Sequence, residues 1–513
     1  MMDQPHLLVL RADADARIGT GHVMRCLALA QYWQNQGGEA AFVGHIDSAL
    51  LRQRLLSEGF QIYNLPAAHP NPLDLTAFLP WLHEHHFQAG WVALDGYHFD
   101  PVYQQAVRAA GWPLVVVDDY GHLSEYHADI IVNQNAYAKE IDYQAQAQAL
   151  ILRGVRFALL RKEFRQALTS KDDSERCNHG LPGRRILITM GGADPDNVAG
   201  KVLDTLQSMA KSGLEVKVVI GPLNPHRQAL QERLNCLALD TELLTSVTDM
   251  VSLMRWADLA ISAAGSTCWE LAALGVPMVV TVLADNQERV AASLAEHGVA
   301  VNLGWFDAWQ AEQVASVFLD LMDNAQKRLE MAQKGQQLID GRGCERLTQA
   351  MLGYHFLLRL ASEDDCETVF QWANDPLTRA VSFSWEAITW QEHFRWFTAR
   401  LADQYHIFYI AITPSGLPMA QARFALRGDG EAVISVSLAP DFRGVGLGSR
   451  FIRLACQQAM TERHVTKIQA LIRQDNISSL HVFAQAGFRQ HGSFEISSQQ
   501  SVTMDYTLAS VAA

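Results

Sequence analysis

Short apolar runs alternate with longer amphipathic stretches over the first 170 residues, which is the pattern of strands and helices in a doubly wound α/β sheet. Each apolar run is short enough to be a strand buried on both faces. The first run leads through a glycine turn into a helical pattern that ends at Gly37 and Gly38, a left-handed stop. We predict an α/β domain over residues 1–170, with strands at Leu7–Arg11, Ala40–Val43, Ala89–Leu94, Leu114–Val117 and Asp129–Val132.

A second alternation starts at Arg185, after a charged stretch, residues 171–183, that is typical of a linker or a long exposed loop. A helical pattern over Ala325–Met351, interrupted at residues 340–343, closes this part of the chain. We predict a second Rossmann-like α/β domain over residues 171–352, with strands at residues 185–190, 216–220, 259–262 and 278–282.

The pattern changes from Phe356 onwards. Three strand patterns follow one another at His406–Ile412, Met419–Arg427 and Ala432–Leu438, with connections too short to hold helices. Such strands pair antiparallel. An amphipathic helical pattern then runs to about Met460. We predict a third, smaller α/β domain over residues 353–513.

Composition narrows the class of protein. The 513 residues exceed the roughly 250–300 that one core supports, and 49% hydrophobic with 19% charged residues is a globular balance. A net charge of −14 argues against a nucleic-acid partner. Seven scattered cysteines, no signal-peptide core and no apolar run of about 18 residues favour a cytoplasmic protein that spans no membrane. The oligomeric state stays open.

The turn before the first helix carries the first candidate chemistry. Gly19 and Gly21 allow a ligand to approach the backbone, and the free N–H groups of the first helical turn attract anions. His22 follows, where the helix N-terminus disfavours a protonated imidazole, so His22 is a candidate general base. Arg25 lies one turn further on and is assigned to the substrate. The alternative is an ordinary polar βα turn.

Polar clusters follow three of the predicted strands, at residues 95–98, 118–120 and 133–135. Because ligands bind outside the carboxyl ends of strands in open α/β sheets, we expect these clusters to share one cleft with Asp13 and His22. Asp13 and Asp95 are candidates to orient His22, and Tyr97 is a candidate substrate contact. The alternative is that the aspartates only cap helices.

Two further glycine turns, each leading into a helix, suit a diphosphate: Gly191-Gly192 and Gly265-Ser266-Thr267. Glu270, one turn into its helix, can accept both hydroxyls of a ribose, or it can simply complement the helix dipole. Asn286 and Gln287 follow the next strand and are also assigned to the substrate.

The first two predicted domains resemble known protein families. The run SAAGSTCWELAALGVPMVV resembles the nucleotide-sugar-binding half of GT-B glycosyltransferases. The runs RADADARIGTGHVMRCLALA, LDGYHF and VVDDY more narrowly resemble the UDP-sugar hydrolases of pseudaminic acid biosynthesis, over about residues 6–345. The resemblance implies a GT-B arrangement and metal-free hydrolysis of UDP-2,4-diacetamido-2,4,6-trideoxy-β-L-altropyranose. It also implies His22 as the base, with Ser266, Thr267 and Glu270 contacting the nucleotide.

A glycine-rich loop lies between the last strand pattern and the amphipathic helix of the third domain. Its N–H groups can surround a pyrophosphate. With Asn476 and Ser479 and then Ala486-Gly487-Phe488, it resembles the GNAT acetyltransferases over about residues 356–510. The resemblance implies acetyl-CoA, with the pantetheine arm along Val436–Leu438. The loop's candidate cofactor-binding residues are Arg443, Gly444, Gly446 and Gly448.

One position departs from that family. Phe483 stands where many such enzymes carry a tyrosine that protonates the departing thiolate, and phenylalanine cannot donate a proton. Core packing is the favoured interpretation of Phe483. Glu431 and Ser435 are possible proton acceptors on the amine side.

Together the patterns predict a bifunctional enzyme. Its GNAT domain would acetylate the 4-amino group of a UDP-amino sugar, and its GT-B-like part would then release UDP from the product. The alternatives are a glycosyltransferase with an attached acetyltransferase, or a sugar-nucleotide hydrolase with a non-catalytic CoA-binding module.

Overall fold

The computed structural model describes most of the chain, and its described residues form two compact units, Met1–Glu345 and Arg346–Ala513. The predicted linker falls largely outside the described residues, as does residue 89 in the third predicted strand. The described ranges are 6–15, 17–85, 90–143, 149–170, 182–192, 194–209, 211–221, 224–237, 239–245, 247–496 and 499–507.

The first sheet of the first unit is parallel and has seven described strands in the order β3-β2-β1-β4-β5-β6-β7. Its central strands are apolar and fully buried, as parallel strands covered by helices on both faces must be. The strands are β1 Leu7–Arg11, β2 Glu39–Gly44, β3 Gln61–Asn64, β4 Trp91–Asp95, β5 Leu114–Val117, β6 Ile130–Asn133 and β7 Leu150–Arg153.

The helices that accompany this sheet begin and end where the turn residues require. Asp100 caps one helix by accepting from the N–H of Tyr103, and Gly37 follows the first helix with φ +90°. The helices are α1 Gly21–Asn35, α2 Ala49–Ser57, α3 Asp74–Glu84, α4 Pro101–Ala109 and α5 Lys162–Thr169.

The second sheet of the same unit is also parallel, in the order β10-β9-β8-β11-β12-β13. One cluster of buried apolar side chains includes residues from both sheets, among them Val9 of β1 and Val280 of β12. The strands are β8 Arg185–Thr189, β9 Glu215–Ile220, β10 Asp240–Thr245, β11 Leu259–Ala263, β12 Met278–Val282 and β13 Ala300–Trp305. The helices are α6 Val198–Ser208, α7 Arg227–Cys236, α8 Met250–Trp256, α9 Thr267–Ala273, α10 Asp285–Glu296, α11 Ala311–Asp323 and α12 Ala325–Leu338, with α13 Gly343–Gly353 next along the chain.

The second unit contains a mixed sheet in the order β14-β15-β16-β17-β18-β20-β19. Only β17 and β18 run parallel among its described strand pairs. The strands are β14 Leu357–Leu360, β15 His406–Ile412, β16 Pro418–Leu426, β17 Glu431–Leu438, β18 Lys467–Arg473, β19 Arg489–Ile496 and β20 Gln499–Thr507. The helices are α14 Cys366–Asn374, α15 Pro376–Val381, α16 Trp390–Ala402, α17 Gly448–Arg463 and α18 Ile477–Ala486.

The predicted fold class, two parallel-sheet α/β domains followed by a smaller mixed α/β domain, is confirmed. Sequence patterns missed strands that lie at or near sheet edges, such as β3, β10 and β19. Their side chains are largely exposed or half-buried, so these strands lack the continuous apolar run that marked the central ones. Within the described part of the chain, no helix is both long and apolar enough to cross a membrane.

Candidate functional sites

His22 is the second residue of α1 and follows a turn that stays open on one side. Gly19 has φ +77°, a conformation that suits glycine. A Cβ atom placed on Gly19 or Gly21 would meet nothing within 4 Å. The side chain of His22 is 13% exposed, so it is accessible from this opening while most of its ring is covered.

Asp95, at the end of β4, orients His22. Its Oδ1 lies 2.7 Å from Nδ1 of His22, and the carboxylate is fully buried. Burial alone would raise the pKa of Asp95, but Arg25 and His22 outweigh burial and hold that pKa well below its usual range. An ionised carboxylate only accepts hydrogen bonds, so Nδ1 carries a proton, and in the neutral imidazole Nε2 keeps its lone pair. This is the tautomer a general base needs.

Arg25, which the sequence assigns to the substrate, has partners inside the protein. It lies one helical turn after His22 and is buried. Its Nε and Nη2 donate to the two oxygens of Asp95 at 2.8 and 2.7 Å, and its Nη1 donates to Asp119 at 2.8 Å. The guanidinium is therefore engaged with two internal carboxylates and positions the partner of His22.

Tyr97 joins the His22 site to the second sheet. Its ring meets the imidazole of His22 edge-on, with centroids 5.0 Å apart. Its hydroxyl donates to Asp119 at 2.7 Å and accepts from Nδ2 of Asn286, on α10, at 3.1 Å. Burial and the Asp119 charge raise the pKa of Tyr97 far above its ordinary value, so the phenol keeps its proton. Asp119 belongs to the polar cluster at residues 118–120 that the sequence placed in the cleft after β5, but it was not assigned a role of its own.

Asp13 does not orient His22, because its hydrogen bonds go elsewhere. It accepts from Arg11 at 2.5 Å, from the N–H of His45 at 2.7 Å and from Nε2 of His98 at 3.1 Å. Burial would raise the pKa of Asp13, but these partners lower it well below its usual range. Asp13 therefore belongs to a buried ion-pair cluster that also contains Asp74.

The glycine turn after β8 lies beside the His22 turn. A Cβ on Gly192 would sit 3.2 Å from Oγ1 of Thr20, whereas one on Gly191, where φ is +83°, would meet nothing within 4 Å. The turn before α9 is similarly open at Gly265, and Ser266 is exposed. Open backbone on two turns of one unit leaves room for a ligand close to main-chain N–H groups.

Glu270, on α9, is paired within the protein. Its Oε1 accepts from Nε of Arg161 at 2.9 Å, and its side chain is 14% exposed. Burial raises the pKa of Glu270, against the influence of Arg161. Gln287 closes its own turn, because its Oε1 accepts from the N–H of Leu283 at 3.0 Å. The ligand roles predicted for Thr267, Glu270 and Gln287 stay predictions.

The mixed sheet opens between β17 and β18. The two strands pair only as far as Ile434 and Ala470, whereas β17 pairs with β16 along its whole length to Leu438. The segment from Ser435 to Leu438 therefore presents one main-chain edge that an extended ligand can pair with. The loop that follows has φ +68° at Gly444 and +80° at Gly446, and α17 starts at Gly448.

Two predicted cofactor residues also hold the fold together. The guanidinium of Arg443 donates to Asp375, to Oγ1 of Thr378 at 3.0 Å and to the carbonyl of Leu438 at 2.9 Å, so it anchors the loop. Asn476 caps α18 by accepting from the N–H of Ser479 at 3.1 Å. The side chains of Arg443 and Asn476 thus have structural partners in addition to any ligand.

Phe483 is buried against Phe488, with ring centroids 4.9 Å apart, in agreement with a packing role. Glu431 pairs with Lys467 at 3.2 Å. Across the described ranges, no group of three or more His, Cys, Asp or Glu residues is arranged to hold a metal ion.

Comparison with family models defines the class of each part. Residues 185–343 match the glycosyltransferase family 28 C-terminal domain, and residues 355–489 match the acetyltransferase (GNAT) domain. The two resemblances noted in the sequence are thereby confirmed. The chain combines a glycosyltransferase family 28 C-terminal domain with a GNAT domain.

Three relatives are similar to this chain at 21–25% sequence identity. The spore coat polysaccharide biosynthesis protein SpsG of Bacillus subtilis is 25% identical over 337 residues, covering 61% of this chain and 94% of SpsG. The UDP-2,4-diacetamido-2,4,6-trideoxy-beta-L-altropyranose hydrolase of Campylobacter jejuni is 24% identical over 298 residues, covering 57% of this chain and 98% of the hydrolase. An uncharacterised protein of Methanocaldococcus jannaschii is 21% identical over 504 residues, covering 94% of this chain and 96% of that protein.

Proposed function

We propose that the first unit hydrolyses a UDP-linked diacetamido sugar at its anomeric carbon, with His22 as general base. The observation that carries this proposal is the pair formed by Nδ1 of His22 and Oδ1 of Asp95, 2.7 Å apart, beside an open glycine turn. The pair supplies an oriented imidazole whose Nε2 can take a proton from water.

The proposed reaction is a substitution at the anomeric carbon. Water attacks the anomeric carbon, and its proton passes to Nε2 of His22. The bond between the anomeric carbon and the β-phosphate oxygen breaks, and UDP leaves with the electron pair. Main-chain N–H groups of the open turns at Gly191 and Gly265 would stabilise the charge that grows on the diphosphate.

The substrate we propose is UDP-2,4-diacetamido-2,4,6-trideoxy-β-L-altropyranose, the molecule named in the Campylobacter relative. An acetyltransferase can make an acetamido group from an amine, so the two acetamido groups of this sugar would explain a GNAT domain in the same chain. We propose that this domain acetylates the 4-amino group of the UDP-amino sugar precursor with acetyl-CoA. The amine nitrogen attacks the thioester carbonyl, the carbon–sulfur bond breaks, the nitrogen gives a proton to solvent and the CoA thiolate takes one.

Acetyl-CoA is supported by the opening of the mixed sheet. The unpaired edge from Ser435 to Leu438 suits the amides of a pantetheine arm. The left-handed turns at Gly444 and Gly446, next to the start of α17, suit the pyrophosphate.

The test is an incubation of the full chain with the UDP-diacetamido sugar in ¹⁸O-labelled water, without any sugar acceptor. We expect release of UDP and ¹⁸O in the anomeric hydroxyl of the sugar. His22→Gln should lower the rate of release by about 10²–10⁴, whereas His83→Gln, which changes an exposed histidine at the end of α3, should leave it unchanged. Label in the β-phosphate of UDP would contradict attack at carbon.

A glycosyltransferase is the competing interpretation, because the matched family model is that of a glycosyltransferase domain. UDP release that requires an added acceptor, with no label in the sugar, would favour that function. In a parallel incubation, thiol release from acetyl-CoA with the UDP-4-amino sugar tests the GNAT domain. Binding of acetyl-CoA without any thiol release would leave a CoA-binding module.

A further inference from the structure

A cavity of about 490 Å³ lies on one face of the mixed sheet. It is bounded by β16, by helices α14 and α16, and by the segment over residues 384–388. Two arginines, Arg379 and Arg423, and the amide of Gln421 line it. No described carboxylate forms an ion pair or a hydrogen bond with either arginine, an arrangement opposite to that around Arg25.

Arg423 is held in place and left with an unused donor. Its Nη2 donates to Oγ of Ser435 at 2.8 Å, and its guanidinium carbon lies 4.6 Å from the ring centre of Trp396. Its Nε is shielded from solvent and has no hydrogen-bond partner among the described residues. Burial, with a smaller effect of Arg400, lowers the pKa of Arg423 to about 10. A half-buried guanidinium that has a shielded, unused donor and no carboxylate partner gains from a bound anion.

Arg379 also lines the cavity and is also held by hydrogen bonds. Its Nη1 donates to the carbonyl of Ser384 at 3.2 Å and its Nη2 to Oγ of Ser382 at 3.2 Å. Its Nε is also buried without a partner in the described part of the chain, as is Oε1 of Gln421. Two fixed cations with unused donors in one cavity make a site for an oxyanion.

We propose that this cavity is the acceptor site of the acetyltransferase, and that Arg379 and Arg423 bind the diphosphate of a nucleotide-linked amino sugar. The inference rests on the acetyl transfer in the proposed function and adds how the acceptor is recognised.

The position of the cavity fits an acceptor site. Arg423 and Gln421 lie on β16 and bond Ser435 and Ser437 of β17, the latter at 3.0 Å. Those serines belong to the segment of β17 that has no β18 partner. An acceptor bound over the arginines therefore lies beside the edge where the thioester arm of acetyl-CoA would pair.

Two glutamates also line the cavity, and they favour the opposite ligand, a polycationic amine. Glu386 and Glu392 are both exposed, and Glu392 accepts from the N–H and the hydroxyl of Thr389. Exposed carboxylates are screened by water and salt more strongly than the half-buried arginines, whose Nε atoms are shielded from solvent. The two arginines therefore act on a bound ligand with less screening than the two glutamates.

The kinetic test uses the full chain with two acceptors, the UDP-linked 4-amino sugar and the same 4-amino sugar without UDP, and measures thiol release. We expect kcat/KM for the UDP-linked sugar to be at least about tenfold higher, the scale of one hydrogen bond to a charged group. Arg423→Gln and Arg379→Gln should each raise KM for the UDP-linked sugar about tenfold or more and leave kcat/KM for the free sugar within about twofold. Arg423→Lys, which keeps the charge, should retain part of the preference.

The matched control is Arg489→Gln, which removes an exposed arginine from β19, three strands away from β17. It should change neither acceptor. Equal kcat/KM for the two acceptors in the wild type would overturn the inference while leaving acetyl transfer standing. Loss of activity toward both acceptors in a variant whose melting temperature is unchanged would also overturn it.

Calorimetry with UDP gives a readout that does not depend on acetyl transfer. With CoA present to occupy the cofactor site, we expect the wild-type chain to bind two UDP molecules, one in each unit, and the Arg379→Gln/Arg423→Gln chain to bind one. If the wild-type chain binds two UDP molecules but shows no thiol release from acetyl-CoA, the acetyl transfer is refuted and the anion site is supported. A single UDP site in both chains would refute the anion site.

Discussion

Arg25 is buried and Arg423 is half-buried, and the two arginines are opposites in what surrounds them. Arg25 donates to two carboxylates, Asp95 and Asp119. Arg423 meets a hydroxyl and an aromatic ring and keeps a buried donor unused. Leaving a buried donor unused costs stability, so it is tolerated where a ligand supplies the partner. The first site is complete in itself and orients a base; the second is complete only with an anion.

The largest expected effect concerns the completed site. His22→Gln should lower the rate of UDP release by about 10²–10⁴, the usual contribution of a general base. Thiol release from acetyl-CoA should be unchanged, because the GNAT domain lies in the other compact unit. Coupled assays of UDP and thiol on the same preparation measure both. Near-normal UDP release would remove His22 from the mechanism.

The two arginines should also differ in stability. Arg25→Met leaves Asp95 and Asp119 buried without their cation, and breaking a buried pair in this way costs about 3–5 kcal/mol. Arg423→Met removes a charge that has no carboxylate partner, so we expect no loss of stability. Calorimetric unfolding of the full chain separates the two cases. A destabilisation of similar size in both variants would mean that Arg423 is also a structural cation.

A third prediction separates the two units through the cofactor loop. Gly446 has φ +80°, and Gly446→Glu adds both a strained side chain and a negative charge where the CoA pyrophosphate would bind. Like charges in contact cost several kcal/mol, so acetyl-CoA affinity should fall by about 10²-fold or more. Equilibrium binding of acetyl-CoA measures the loss, and UDP release serves as the control. Unchanged affinity would place the pyrophosphate elsewhere.

The smallest expected effect concerns Glu270. Glu270→Ala should weaken UDP binding to the first unit by about 1–3 kcal/mol if the carboxylate holds the ribose. The matched control is Glu288→Ala, an exposed carboxylate in the first turn of α10. Titration with UDP measures the affinity. A lower melting temperature with unchanged affinity would assign Glu270 to its pair with Arg161 alone.

Local patterns predicted the central strands of the two parallel sheets because those strands carry their own signal, whereas the interior strand β18 of the mixed sheet was missed. β1 and β4 are apolar at nearly every position and are buried on both faces. β3 and β10, at sheet edges, are mostly exposed or half-buried and carry no such run. Their strand character comes from pairing with a neighbour, which periodicity along the chain does not reveal.

The sequence by itself determined the order of domains, the glycine turns and the placement of His22 at a helix start, because periodicity and backbone conformation depend on neighbouring residues. The tertiary structure decided the partners. It placed Asp95, 73 positions along the chain from His22, rather than Asp13 against the imidazole. It also brought Asn286 to Tyr97, 189 positions away in the sequence. It also gave Arg25 two carboxylate partners and left the Nε of Arg423 without a hydrogen-bond partner among the described residues. Hydrogen bonds and ion pairs are set by distances of about 3 Å in space, and those distances exist only once the strands have taken their order in the sheet.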